Sequence, residues 1–287
     1  MNSEPDLETR VAALEKLSGR GERWGPAGGV FRGLGCALLA ILVTLNAWIM
    51  WKGLQTLSAN KVHEHFWVVC HSGATEDQRR HAFTELVKAG NREWRSARLD
   101  HLRLRRGEFD GADLERANME GCDFTQSTLM GARMRGTHLK MARLVQTNLS
   151  LADLSEAILL KADLTDATVV GANLRSANLE QCQLKNTNFE GSDLSEANLL
   201  MAVLANARLR KANLSSSILD AADFRGANLD GANLENATTR DTSFANSNWW
   251  RAVGLSSETI DRLKRDSAPA SDAPLGFQAD FAKWLAK

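Results

Sequence analysis

From Phe109 to Trp249 every fifth residue is large and apolar, over 29 positions without an insertion or deletion and with Thr239 as the single departure. The series opens Phe109, Leu114, Met119, Phe124, Leu129, Met134, Leu139 and closes on Phe244 and Trp249. Two residues ahead of each member lies a second series: Gly107, Ala112, Ala117, Cys122, Ser127, Ala132, Thr137 and onward to Ser247. Every one of these is Gly, Ala, Ser, Thr or Cys. A period of five matches neither the 3.6 of a helix nor the 2 of a strand, so residues 107–251 must form a repeat architecture.

The unit reads Ala-Asp/Asn-Leu-x-x, as in Ala112-Asp113-Leu114, Ala172-Asn173-Leu174 and Ala227-Asn228-Leu229. This closely resembles the pentapeptide-repeat family, over about half of the chain. The resemblance implies an all-β solenoid, a right-handed parallel quadrilateral β-helix in which each pentapeptide makes one side and four make a coil. About seven coils at the strand spacing of about 4.8 Å then give a rod of roughly 35 Å. The large series fills the axis and the small series permits close backbone approach. Each coil bonds only to its neighbours, so both ends expose strand edges and need caps. Cys122 and Cys182 belong to the small inward series three coils apart, about 14 Å, too far for a disulfide. The axial Phe109, Phe124, Phe189, Phe224 and Phe244 are core.

Lys and Arg number 35, as do Asp and Glu, which predicts no general affinity for nucleic acid. The charge is unevenly placed: 16 basic against 11 acidic residues over 1–106, and 14 against 19 over 107–251. Four cysteines, two of them in the repeat core, form no disulfide framework.

Residues 1–18 include an amphipathic helix carrying Leu7, Val11, Leu14 and Leu17, and 19–32 is a Gly-rich linker. From 33 to 51 no residue is charged, and Arg32 and Lys52 bracket the run. That is long enough to cross a bilayer once, with Trp24, Trp48, Trp51 and Trp67 near its ends. Gly29, Gly33 and Ala37 form a small-residue stripe suited to packing against a second span, hence a possible homo-oligomer. The excess of Lys16, Arg20, Arg23 and Arg32 over Lys52 and Lys61 favours the repeat domain on the non-cytoplasmic side.

Residues 52–74 read as a stalk; His63, His65, Cys70 and His71 lack the paired spacing of a zinc site and are read as solvated. Over 75–106, Thr75-Glu76-Asp77-Gln78 has the form of a capping box opening a helix with Ala82, Phe83, Leu86 and Val87 on one face, which suits the rod's N-terminal cap. The basic stretch Arg92, Arg95, Arg98, Arg103, Arg105 and Arg106 follows as the solvated face of one or two irregular starting coils. In 252–287, Ser256 or Ser257 caps a short helix with Ile260 and Leu263, and Asp266 to Pro274 reads as disordered. Phe277, Phe281, Trp284 and Leu285 then mark an amphipathic tail helix that suits the rod's end, a partner groove or a membrane surface.

On the rod's outward positions, one side collects Met141, Ile158, Leu160, Leu200, Met201 and Ile218, with Val145 and Val203 from the adjoining side. Such a patch marks a candidate partner-binding surface. Arg133, Arg135, His138, Lys140 and Arg143 form a basic group for which acidic neighbours are expected. No phosphate loop, nucleophile elbow, metal set or His–carboxylate arrangement is present in the sequence, so neither catalysis nor a cofactor is expected. The leading reading is a membrane-anchored scaffold or adaptor that presents the rod to a protein partner. Alternatives are a non-catalytic subunit assembling or gating a membrane complex and, from the resemblance, a DNA-mimicking inhibitor of a type II topoisomerase.

Overall fold

The computed structural model describes residues 75–88, 94–97, 99–269 and 275–286. The segments expected over 1–74, including the span at 33–51 and the stripe Gly29, Gly33 and Ala37, lie outside them. Among the described residues no helix is long and apolar enough to cross a membrane.

Residues twenty apart pair in parallel all along the repeats, from Arg103 with Asp123 to Asn233 with Val253. Four pentapeptides therefore close one coil, and each coil stacks in register on the next. The four sides are numbered here in chain order, the first containing the axial residues Phe109, Leu129 and Leu149. The axial and small series are buried throughout, apart from Ala237, which is partly buried. A fully buried Leu is stabilised by roughly 1.5–3 kcal/mol relative to an exposed one, so the axis is the main source of stability.

The backbone bonds account for all five residues of a unit. The axial N–H donates to the following coil, as from Leu114 to the Arg133 carbonyl at 2.8 Å, and the residue before it donates backward, as from Arg133 to Ala112 at 2.9 Å. At each corner the small residue closes a four-residue turn, Ala112 N–H to Phe109 at 3.1 Å. The third residue of that turn has φ near +57°, seen at Arg116, Met141 and Lys161, or is glycine, as at Gly111 and Gly171, and its N–H also donates to the following coil, as from Arg116 to the Arg135 carbonyl at 2.9 Å. The remaining N–H is capped by the Asp or Asn two residues before it: Thr125 on Asp123 at 3.0 Å, Ser215 on Asn213 at 3.2 Å, Glu235 on Asn233 at 3.0 Å. The Asp/Asn of the motif thus holds the corner. Where Thr128 and Thr238 replace it, an Asp one coil earlier takes over: Met130 N–H bonds Asp110 at 2.8 Å and Arg240 N–H bonds Asp220 at 2.9 Å.

Threonines of the small inward series donate to a carbonyl of the previous coil, Thr137 to Leu114 and Thr187 to Leu164, both at 2.8 Å, while Ser217 and Ser247 donate to the carbonyl three residues before them. Cys122 and Cys182 donate as the threonines do, toward Leu99 and Leu159 at 2.9 Å, and both are free and buried.

The starting coils are more regular than the sequence suggests. Trp94, Leu99 and Leu104 occupy the axial positions fully or almost fully buried, and Ser96, His101 and Arg106 carry the same positive φ as later corners. Helix α1 (Glu76–Lys88) closes this end. Its capping box is formed, Thr75 N–H to Gln78 Oε1 at 2.8 Å and Gln78 N–H to Thr75 Oγ1 at 3.2 Å. Phe83 plugs the axis, 4.3 Å from Trp94 and 4.9 Å from Phe109 between ring centroids.

At the other end the phase breaks in a 3-10 turn, Trp249–Arg251. Helix α2 (Ser257–Asp266) is capped by Ser256, whose hydroxyl accepts from Thr259 N–H. Thr239, the one small member of the axial series, meets it: Arg262 donates to the Thr239 hydroxyl at 3.0 Å. Asp266 and Ser267, expected in a disordered linker, are instead fixed. Ser267 N–H bonds Leu263 at 2.9 Å and its carbonyl accepts Trp249 Nε1–H at 2.9 Å. Helix α3 (Leu275–Leu285) lays Phe277, Phe281 and Trp284 on Trp249 and Trp250 at 4.6–5.8 Å between ring centroids, leaving Leu285 exposed.

Candidate functional site

The outward grid of the rod is the candidate site, because each position is fixed by its place in a coil. Leu200 and Met201 form the corner between the third and fourth sides. Val203 begins the fourth side just past it, and Ile218 lies one coil further on the third, paired with Asn198. Met201 is 54% and Ile218 42% exposed, while Leu200 and Val203 are half-buried. These four come together.

Met141, Ile158 and Leu160 do not join them. They form a second cluster two coils away, with Met141 at 47% exposure and the other two half-buried. The ladder runs Ile158, Asn178, Asn198, Ile218, so the two isoleucines are three coils apart, about 14 Å. Between the clusters stand Glu180 and Gln181, hydrogen-bonded to each other at 3.1 Å. The single stripe expected from the sequence is therefore two patches. Ile158, Val203 and Ile218 also occupy the position whose Asp or Asn caps the corner in other coils, so each gives up that hydrogen bond for an apolar side chain.

A third apolar cluster escaped the sequence reading. Leu151, 68% exposed, lies between Met130, 45% exposed, and the half-buried Val170 at the corner after the first side. The signal was there: that corner is glycine in the adjoining coils, at Gly131 and Gly171. The Leu151 side chain leans over Gly171, where an added Cβ would meet its Cδ2 at 3.1 Å.

The basic group is neutralised in place. Arg133 lies 3.6 Å from Asp113, Arg135 2.6 Å from Glu156, Lys140 3.1 Å from Glu120 and Arg143 3.6 Å from Asp123. Burial works to raise the Asp123 carboxyl, yet hydrogen bonds from Thr125 and Arg105 outweigh it and hold the group below its ordinary value. Signs alternate along the ladders Arg103, Asp123, Arg143, Asp163 and Asp113, Arg133, Asp153. Acidic and basic side chains therefore neutralise each other from coil to coil along both columns.

A cavity of about 310 Å³ lies beside α3, lined by Asp230, Trp250, Arg251, Asp280, Lys283 and Trp284. Its charges serve the cap. Asp280 accepts from Arg251 at 2.7 Å and from Trp250 Nε1–H at 2.8 Å, and these bonds hold its carboxyl down to about 2. Burial pushes both core thiols up to about 12, which removes them from thiolate chemistry. Among the described residues no cluster of His, Cys, Asp and Glu is arranged to hold a metal ion.

A family model for pentapeptide repeats matches the chain in eight copies, over 95–131, 108–142, 132–169, 172–210 and 201–236. Among solved structures, the chain is similar to HetL, a pentapeptide repeat protein involved in heterocyst differentiation regulation from the cyanobacterium Nostoc sp. strain PCC 7120. Identity is 25% over 60% of this chain and 91% of that one, with a TM-score of 0.39. It is 30% identical to alr5209, a pentapeptide repeat protein from Nostoc PCC 7120, over 39% of this chain and 78% of that one, TM-score 0.16. With QnrB1, a plasmid-mediated fluoroquinolone resistance protein, identity is 16% over 68% and 92%, TM-score 0.38. No curated protein matches the chain. The matched copies fall on the pentapeptides whose buried axis, turned corners and twenty-residue pairing are described above, and the chain belongs to the pentapeptide-repeat family, whose members fold as right-handed quadrilateral β-helices.

Proposed function

We propose that the chain is a non-catalytic scaffold, tethered to a membrane through 33–51 with its rod on the non-cytoplasmic side, and that the corner of Leu200, Met201, Val203 and Ile218 receives a protein partner. One observation carries the reading. Val203 and Ile218 stand where Asn213 and Asn233 cap their corners, so two turns lose a stabilising bond to gain exposed or half-exposed apolar surface at one place. Clustered apolar surface on a rod whose outward positions are mostly polar marks an interface. The uncharged run from 33 to 51 supports the tether.

The test uses substitutions that improve the rod locally while removing the surface. Val203→Asp and Ile218→Asn supply the missing caps, and Leu200→Ser and Met201→Lys make the corner polar. The quadruple variant should keep the circular dichroism and melting temperature of the native chain, yet lose the protein that co-purifies from detergent-solubilised membranes. Undiminished co-purification would overturn the site. Deleting 33–51 should move the chain from the membrane pellet to the supernatant, and retention in the pellet would overturn the tether.

A further inference from the structure

We propose that the edge carrying Leu151 is a self-complementary surface on which two copies of this chain pair antiparallel, side by side. Charged and apolar residues follow a fixed order along the first side and its following corner. Counting coils from zero, that strip carries Glu108 and Asp110 in coil zero and Met130 in coil one. Leu151 follows in coil two, Val170 in coil three and Glu190 in coil four, with Arg208, Arg210 and Lys211 in coil five. Acidic residues stand in coil zero and basic residues in coil five, the latter between Glu190 of coil four and Asp230 of coil six, and the most exposed apolar side chain sits next to the midpoint of coils zero to five.

A two-fold axis in the contact plane, perpendicular to the rod and passing between coils two and three, maps this strip onto itself reversed. Coil zero then faces coil five, so Glu108 and Asp110 of one copy meet Arg208 and Lys211 of the other. Leu151 faces coil three, where Val170 and the small Gly171 lie, and the two Leu151 side chains flank the axis because each leans over its own Gly171. On the face itself Thr128 meets Asn188 and Asn148 meets Thr168, and at the corner Met130 meets Glu190 and Ser150 meets Val170, so no like charges oppose each other. A parallel pairing would instead set the basic residues of coil five against themselves. Isologous contacts of this kind are how closed dimers form. The charges are available for it: Glu108, Asp110, Arg208 and Lys211 are exposed, and none of them takes part in an ion pair among the described residues. Arg210 is shared between Glu190 at 3.5 Å and Asp230 at 3.6 Å, so the pairing does not depend on it.

Zero-length carbodiimide coupling of the full-length protein in detergent, followed by peptide mass spectrometry, tests this directly. Within one chain Lys211 lies five coils from Glu108 and Asp110, about 24 Å, out of reach of such coupling. A peptide joining Lys211 to Glu108 or Asp110 must therefore come from two copies. We expect that peptide in the dimer band. Leu151→Glu should cut the yield at least tenfold; Glu156 and Glu196 already hold the same corner conformation, with φ of 58° and 59°, so it should fold normally. Glu108→Lys should lower the yield similarly, and adding Arg208→Glu to it should restore the dimer. A protein monomeric at the coupling concentration would overturn the proposal. So would a dimer joined only through 1–74, or one that Leu151→Glu leaves intact.

Discussion

Between Leu114 and Leu234 each coil repeats the bonds of the coil before it, whereas beyond Trp249 each contact is made once. In the body, removing one hydrogen bond leaves a ladder of identical ones around it. At the C-terminal end, α3 is held by a cluster of aromatic rings and by one carboxylate, Asp280, that gathers Trp250 and Arg251. The body is thus a cooperative stack of nearest neighbours, while the cap is a separate docking event built on it. The N-terminal cap lies nearer the body in kind, since Phe83 extends the axis itself.

Axial truncation should separate the two regions most strongly. Leu174→Ala removes a fully buried side chain in the middle of the stack, where flanking coils cannot collapse inward, and should cost about 3 kcal/mol and lower the melting temperature of the whole rod. Phe281→Ala should instead detach α3, shift tryptophan emission to the red and open α3 itself to protease while leaving the rod's melting transition in place. If Phe281→Ala lowers that transition as much as Leu174→Ala does, the cap and the body are one unit and the comparison fails.

Acid should resolve the two next. Asp280 titrates near 2 in the folded chain against about 3.9 in an unfolded one, so its contribution is present above pH 4 and is lost as pH falls toward 2. Helix α3 should accordingly loosen over that window, read as increased protease cleavage, and Asp280→Asn should show the loosened state already at pH 7. An unchanged cleavage rate in that variant would assign the docking to the rings alone.

A smaller effect is expected for the corner caps. Asn213→Ala leaves the Ser215 N–H to solvent and breaks the side-chain bonds to Asp193 and Asn233, at a cost of about 1 kcal/mol measured by denaturant titration. Smallest of all, alkylation of the native chain at pH 8 should leave Cys122 and Cys182 unmodified, with both reacting only after unfolding. Modification of either thiol in the native rod would show that the stack opens locally.

Almost all of the body was legible in the sequence, because the five-residue period is a direct projection of the square coil. Even its exception was informative: Thr239 breaks the axial series where α2 brings Arg262 to its hydroxyl. The ends were less legible. Trp94, Leu99 and Leu104 keep the period, but arginines crowd the positions around them and obscure it. Asp266 and Ser267 look like linker by composition, yet Asp266 ends α2 and Ser267 both caps that helix on Leu263 and accepts the Trp249 indole N–H, a bond that no local pattern encodes. For the site, the sequence supplied the outward residues but not their grouping. Whether Ile158 belongs with Ile218 depends on counting rungs, and the Leu151 edge emerges only when corners of successive coils are laid beside each other.

Three exposed methionines mark three surfaces of the rod: Met201 at the proposed partner corner, Met141 in the second cluster and Met130 on the Leu151 edge. Oxidative footprinting of these residues, in native membranes and in the purified chain, tests the scaffold reading most directly. Met201 should be protected in membranes and become reactive once the chain is isolated, while Met141 should react equally in both. Equal oxidation of Met201 in the two preparations would contradict that reading.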